Sequence, residues 1–234
     1  RDNLVRDMEI LESEVIEALM DTEEAQHWLE DYLYEKYPVN TKGKFGQYVC
    51  EYFDLPVPKT KSGKYSLTEK SLKSVKPCDA IDFLLGNGEL DQEDIYDIQY
   101  KMHIDKEGSV INISSKKQLG EIVFDYMNIE PVSKTDKGSP QFNDTMIQKL
   151  EEMGFDWARK LSNYNKLVKI KGAYIDRFLD AEENGIFYPS FFQHRTISGR
   201  YGSDMQQLPR PKEEGELDPI VLQYTNIIRK IFNK

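Results

Sequence analysis

Cysteine is scarce in this chain, and long apolar runs are absent. Cys50 and Cys78 are its two cysteines, and they lack the spacing of metal ligands, which argues against a disulfide framework and against a zinc site. Both thiols are expected to be buried or half-buried in a reducing, cytoplasmic setting. No apolar run has the length of a membrane span, and no signal or transit pattern follows Arg1, so we expect a segment of a longer protein without membrane partners.

Positive charge is also limited. The formal net charge is −10, from 31 Lys and Arg residues against 41 Asp and Glu residues, which argues against indiscriminate binding of polyanions. The charge is uneven, because residues 1–35 are rich in acids whereas a later stretch is rich in bases. Any polyanion that the chain binds is expected to contact that later stretch, whose cations are Arg159, Lys160, Lys166, Lys169, Lys171 and Arg177.

The spacing of apolar residues predicts several helices. An amphipathic helix with an acidic outer face is expected at the amino terminus. The sequence Asp21-Thr-Glu-Glu24 predicts the start of a second helix that runs toward Tyr34, with Asp21 as its cap. One long helix is predicted from about Phe155 to Leu179. Asn184-Gly185 then begins a strand or hairpin through Ile186, Phe187, Tyr188 and Phe191.

Several motifs follow one another in a fixed order in the second half of the chain. The first are Asn112-Ile-Ser-Ser-Lys-Lys-Gln-Leu119 and Lys134-Thr135 with Gly138. The long helix then carries Tyr164, Lys166-Leu-Val-Lys169, Lys171, Tyr174 and Asp176. After it come Ser190-Phe-Phe-Gln193, Thr196, Ser198-Gly-Arg200, Gln206 to Pro209, Ile228-Arg229 and Phe232.

In kind and in order, these motifs resemble those of family A DNA polymerases, firmly over about residues 110 to 210. The resemblance implies an α+β fold that is mainly α: a helical thumb with long antiparallel helices, joined to the first strands of an incomplete antiparallel palm sheet. Four segments are expected: acidic helices at the base (1–43), a first helical hairpin with connecting helices (44–109), the thumb with a second hairpin and the long basic helix (110–183), and the start of the palm with a DNA-binding turn (184–234).

The helical hairpin is an internal repeat. The first copy is Gly46-x-x-Val49-x-x-Tyr52-x-x-Leu55, Pro56, Lys59-Thr60 and Gly63, and the second is Gly120-x-x-Val123-x-x-Tyr126-x-x-Ile129, Pro131, Lys134-Thr135 and Gly138. Each copy predicts a helix, a turn and another helix, and Ser115 to Gln118 predicts a capping box before the second. Three roles stay open for the first copy: a longer grip on duplex DNA, a site for a processivity partner, or packing alone.

The resemblance also implies which residues bind DNA. Lys166, Lys169 and Lys171 are expected to follow phosphates without reading bases. Arg200 is expected to probe the minor-groove acceptors near the primer terminus, which every correct base pair presents. The amides of Gln193, Gln206 and Gln207 are expected to complete this turn, with Gln193 orienting it and Gln206 near the template.

Nucleotidyl transfer needs two magnesium ions held by aspartates. By the resemblance those aspartates lie beyond Lys234, so no catalytic residue and no metal ligand is assigned here, and the isolated chain is expected to be inactive. The expected partners are primer–template DNA and, for the whole enzyme, deoxynucleoside triphosphates, with a processivity protein as a further candidate. Two other functions stay open: a non-catalytic DNA-binding or processivity module, and a helical module that binds another protein.

Overall fold

The computed structural model of the chain describes residues 1–180, 182–183, 186–187, 191–192, 202–203, 215 and 217–231. Helices dominate these residues, which confirms the mainly helical part of the predicted fold. They are α1 (Asp2–Met20), α2 (Glu23–Lys36), α3 (Gly43–Tyr52), α4 (Glu69–Leu72), α5 (Asp79–Leu85), α6 (Gln92–Glu107), α7 (Lys116–Glu121), α8 (Asp144–Glu152), α9 (Asp156–Ile170), α10 (Arg177–Asp180) and α11 (Pro219–Ile231). Within the described part, none of them combines the length and the apolar composition that a membrane span requires.

Two of the helices continue as π-helical turns. Ile122–Tyr126 extends α7, and Lys171–Asp176 joins α9 to α10. The helical backbone therefore runs without a break from Asp156 to Asp180, which confirms the predicted long helix. Each π-helical turn shifts the side chains that follow it around the helix axis, because its hydrogen bonds span five residues instead of four.

The strands in the described residues are short. β1 (Glu182–Glu183) pairs antiparallel with β2 (Ile186–Phe187), and β3 (Phe191–Phe192) pairs antiparallel with β4 (Gly202–Ser203). β2 lies within the strand or hairpin predicted after Asn184-Gly185, whereas its partner β1 precedes that prediction. A palm sheet would need more than these two ladders and stays a prediction.

The chain divides into two compact units, Arg1–Leu19 with Pro131–Lys234, and Met20–Glu130. The four segments predicted from the sequence have other boundaries and stay a prediction. In the first unit, α9 packs against both α8 and α11. The buried apolar side chains of this first unit include Leu4, Val15, Leu19, Met146, Leu150, Trp157, Leu161, Leu167 and Val221.

The second unit is built on the pair α2 and α6. These helices pack against each other, while α3 packs against α6 and the π-helical turn after α7 packs against α2. Their shared apolar interior includes Ala25, Leu29, Leu33, Val49, Cys50, Ile98, Leu119 and Val123.

The two copies of the repeat have the same local structure. The helix of each copy is followed by a non-glycine residue in the left-handed region, Asp54 with φ of 46° and Asn128 with φ of 53°. In the first turn the Thr60 amide donates to the Lys64 carbonyl (2.7 Å), and in the second the Thr135 amide donates to the Ser139 carbonyl (2.8 Å). The glycine of each turn also has a positive φ, 79° at Gly63 and 83° at Gly138, so the repeat seen in the sequence is a repeat of backbone conformation.

One predicted helix cap and one predicted capping box need correction. Thr22, and not Asp21, caps α2: its backbone is extended and its Oγ1 accepts a hydrogen bond from the Ala25 amide (3.4 Å). Ser115 caps α7 as predicted, by accepting from the Gln118 amide (3.4 Å). The reciprocal half of that capping box is absent, because the Gln118 side chain accepts from the Asn112 amide (3.0 Å).

Candidate nucleic-acid interface

The long helix has one buried and one exposed face. Its buried face includes Trp157, Leu161, Tyr164, Leu167 and Ile170, which recur at steps of three and four residues as an amphipathic helix requires. Lys166 and Lys169, three residues apart, are both exposed on the other face.

Lys166 and Lys169 are the two predicted DNA-binding lysines with the most accessible charge. They line a groove of about 390 Å³ between α8 and α9, together with Asp144, Ile147, Gln148, Glu151, Ser162 and Asn165. Within the described part of the chain, neither ammonium group forms an ion pair. Two unpaired cations on one helix face can neutralise phosphates without reading bases.

Lys171 has a different environment from the other two lysines. Its Nζ lies 2.6 Å from Oδ2 of Asp176, and Arg1 Nε lies 3.7 Å from Oδ1 of the same carboxylate. In an α-helix, residues five apart point in different directions, but the π-helical turn brings Lys171 and Asp176 together. The hydrogen bond from Lys171 holds the pKa of the Asp176 carboxyl below its usual range, so Lys171 is already paired with a carboxylate.

The first turn of α9 shows a similar neutralisation. Asp156 accepts from Arg159 (2.7 Å) and lies 3.3 Å from Lys160. The hydrogen bonds from these two cations lower the pKa of the Asp156 carboxyl. The positive charge that the sequence concentrates in this stretch is therefore partly cancelled by its own acids, whereas Lys166 and Lys169 are exposed and form no ion pair with any described residue.

The remaining predicted site residues, Gln193, Arg200, Gln206 and Gln207, lie outside the described residues. In the sequence, Gln193 and Arg200 fall between β3 and β4, which pair with each other. The predicted roles of all four side chains stay predictions.

A second set of cations was missed by the sequence-based prediction. Residues 56–77, here called the basic segment, contain six lysines and one acidic residue, Glu69. A count of charge along the chain would have found it, but the family motifs directed attention to the second copy. All six lysine side chains are exposed: Lys59, Lys61, Lys64, Lys70, Lys73 and Lys76.

The described residues offer neither a metal site nor a buried reactive thiol. Among the described residues, no three His, Cys, Asp or Glu side chains are grouped so that they could hold a metal ion. Cys50 is buried, and this burial raises the pKa of its thiol to about 11. Cys78 is exposed, so the expectation that both thiols are at least half-buried is wrong for Cys78, which precedes α5 at the surface.

Comparisons with known proteins agree with the motif order. The model of DNA polymerase family A matches residues 87–233. A DNA polymerase of Bacillus phage SP01 is 32% identical over 147 residues, covering 61% of this chain and 15% of that protein. DNA polymerase I of Pseudomonas aeruginosa is 29% identical over 116 residues, covering 47% of this chain and 13% of that protein.

A third relative is similar to this chain over a segment of comparable length. The DNA polymerase of Escherichia phage T5 is 32% identical over 112 residues, covering 44% of this chain and 13% of that protein. The chain thus spans between 13% and 15% of the length of these three relatives.

Proposed function

The chain belongs to DNA polymerase family A, and from this membership we propose that it is part of a DNA-directed DNA polymerase and binds primer–template duplex DNA. The observation that carries the DNA-binding part is the pair Lys166 and Lys169 on the long helix, which are exposed and form no ion pair with any described residue. Contacts from such lysines go to phosphates, so they hold a duplex of any sequence. A template-directed polymerase requires this independence of sequence.

The turn around Arg200 is proposed to distinguish correctly paired from mispaired primer termini, in addition to the binding of phosphates by the lysines. A guanidinium in the minor groove can accept any correct base pair, because the N3 and O2 acceptors occupy similar places in all of them. A mispaired primer terminus displaces these acceptors and would lose the contact with Arg200. We assign Gln193, Gln206 and Gln207 to the same turn, where their amides can donate and accept.

The proposed fold also includes the start of a palm. We assign residues 184–234 to the start of an antiparallel palm sheet, and the segment before them to a helical thumb. The two antiparallel ladders β1–β2 and β3–β4 are consistent with this assignment. The whole enzyme is proposed to use deoxynucleoside triphosphates and to take part in DNA replication in the cytoplasm of a bacterial or phage-infected cell, with a processivity protein as a further partner.

The metal chemistry is proposed for the whole enzyme and not for these residues. Mg²⁺ ions held by aspartates would activate the primer hydroxyl and stabilise the leaving pyrophosphate. The described residues do not fit such a site, since they contain no group of three suitable ligands. In the resemblance, the aspartates follow the segment that ends near Phe232, so we propose that the 234-residue chain incorporates no nucleotides by itself.

The DNA-binding proposal can be tested with a fluorescent primer–template hairpin and the 234-residue chain. We expect salt-dependent binding, measured as anisotropy over a range of salt concentrations. Replacing both lysines, Lys166→Gln with Lys169→Gln, should lower the slope of log affinity against log salt by about 2, or about one for each lost phosphate contact.

Lys106→Gln is the control, because its side chain is 58% exposed and, among the described residues, forms an ion pair with neighbouring Glu107 alone. It removes one charge outside the proposed interface and should leave the slope unchanged. No binding at low salt would overturn the DNA-binding part and favour a module that binds another protein. Nucleotide incorporation by the chain alone would overturn the assignment of the catalytic aspartates to a later segment.

A further inference from the structure

The basic segment, residues 56–77, has little internal charge compensation. Lys73 pairs with Glu69, but their side chains are 62% and 72% exposed, and such a pair gives little stability. Among the described residues, the other five lysines of the segment form no ion pair. Lys59 lies over the ring of Tyr65, 4.5 Å from its centroid, which positions its charge at the base of the turn.

The turn that carries these lysines is held in one conformation. Lys59 and Tyr65 form an antiparallel bridge across it. From α3, the Gln47 side chain donates to the Tyr65 carbonyl (2.9 Å) and accepts from the Tyr65 amide (2.6 Å). Lys61 and Lys64 are therefore presented on a rigid loop, which lowers the entropy lost when they meet a ligand.

The second copy shows that this fold does not need the lysines. Its turn has the same hydrogen bonds, yet the equivalent positions, residues 131–152, carry three lysines and four acids. Lys61 corresponds to Asp136, and Lys64 corresponds to Ser139. Because like charges repel, six clustered lysines bring no benefit to folding, and their presence in one copy alone indicates an anionic ligand.

We propose that the basic segment is a second nucleic-acid surface of this chain, which binds the phosphate backbone of duplex DNA. The choice of DNA as the anion rests on the proposed function. Duplex DNA has one charge per about 1.7 Å of its axis, which suits several lysines on one loop. Tyr65 is the only aromatic residue of the segment and is half-buried under Lys59, so the segment offers no stacking platform for the bases of single strands.

An exchange of residues between the two copies tests this proposal. The first variant, Lys61→Asp with Lys64→Ser, gives the first turn the residues of the second at the two positions where the second turn lacks a lysine. The second variant combines those two changes with Asp136→Lys and Ser139→Lys, which restores the net charge of the wild type in the wrong place. Both turns should tolerate the exchanged residues, because the two turns have the same backbone hydrogen bonds and each exchanged residue already occurs at the equivalent position of the other turn.

Affinity for a long hairpin duplex is measured by anisotropy at several salt concentrations, with a single-stranded oligonucleotide in parallel. We expect the first variant to lower the salt slope for the duplex by about 2, and the second variant to show the same loss. The wild type should bind the single strand more weakly than the duplex, and the affinity for the single strand should fall less in the two variants than the affinity for the duplex.

Three results would overturn the proposal. If the second variant binds like the wild type, overall charge and not the basic segment governs binding. If the first variant binds like the wild type while Lys166→Gln with Lys169→Gln loses affinity, the proposed function stands and the basic segment is not part of the interface. If the single strand loses as much as the duplex, the preference for duplex is wrong.

Discussion

Tyr126 of the second copy donates a 2.7 Å hydrogen bond to Asp31 on α2, the helix that precedes the first copy. The converse bond is also present, because Tyr52 of the first copy donates to Asp97 on α6, the helix that precedes the second copy (2.8 Å). Each copy is thus fixed to the helix that leads into the other. Within the second compact unit, the helices of both copies are therefore tied to the pair α2 and α6.

Removing the hydroxyl of Tyr126 tests its bond to Asp31. Tyr126→Phe should lower the free energy of unfolding by about 1 kcal/mol, the usual contribution of one hydrogen bond. Tyr34→Phe is the control, because Tyr34 is 68% exposed and makes no hydrogen bond within the described residues. Urea unfolding measures both variants, and an equal effect of the two would contradict a structural role for the bond.

The same tyrosine gives a pH dependence with a definite sign. Burial, followed by the hydrogen bond to Asp31, raises the pKa of Tyr126 from 10.0 to about 12. Below pH 10 the ring is neutral in both folded and unfolded chains, so its contribution is complete there. Between about pH 10 and 12 the unfolded chain ionises first, and the stability advantage of the wild type over Tyr126→Phe should shrink. An advantage that grows over this range would contradict the assignment.

Gly46 tests the packing of the first copy. A Cβ at this position would lie 2.7 Å from the Thr41 carbonyl oxygen and 2.8 Å from Leu67 Cδ1. Gly46→Ala should therefore destabilise the fold by about 1–3 kcal/mol. Gly172→Ala is the contrasting variant, since an added Cβ would meet no atom of the described residues within 4 Å outside its own helix backbone and chain neighbours, and it should be neutral or stabilising by up to about 1 kcal/mol. Thermal unfolding distinguishes the two, and similar melting temperatures would contradict the close packing.

Features that depend on residues close together in the sequence were predictable, and features that depend on distant residues were not. Helix positions and the repeat were predictable, because both depend on local spacing of residues such as Val49 and Val123. The bonds of Tyr52 and Tyr126 were not, since their partners lie far away in the sequence. The pairing of Lys171 with Asp176 was missed for another reason: it depends on a π-helical turn, whereas α-helical spacing separates residues five apart.

The pairing of Lys171 with Asp176 predicts how DNA binding responds to substitution. Asp176→Asn removes a negative charge and releases Lys171, so affinity for a hairpin duplex should rise and the salt slope should increase by about 1. Asp180→Asn removes the same charge one helical turn away, from an exposed residue without an ion pair in the described part of the chain. It should raise affinity less and leave the slope unchanged. Equal effects of the two variants would mean that only the net charge matters.

The two cysteines should differ in reactivity although both are reduced. The thiolate is the reactive form, and burial raises the pKa of the Cys50 thiol to about 11, so at neutral pH Cys50 is both protonated and inaccessible. Cys78 is exposed and should react fully with a thiol reagent in the folded chain. A Cys78→Ser variant should then show no reaction until denaturant is added. Rapid labelling of that variant without denaturant would mean that the core around Val49 and Cys50 opens on the timescale of the reaction.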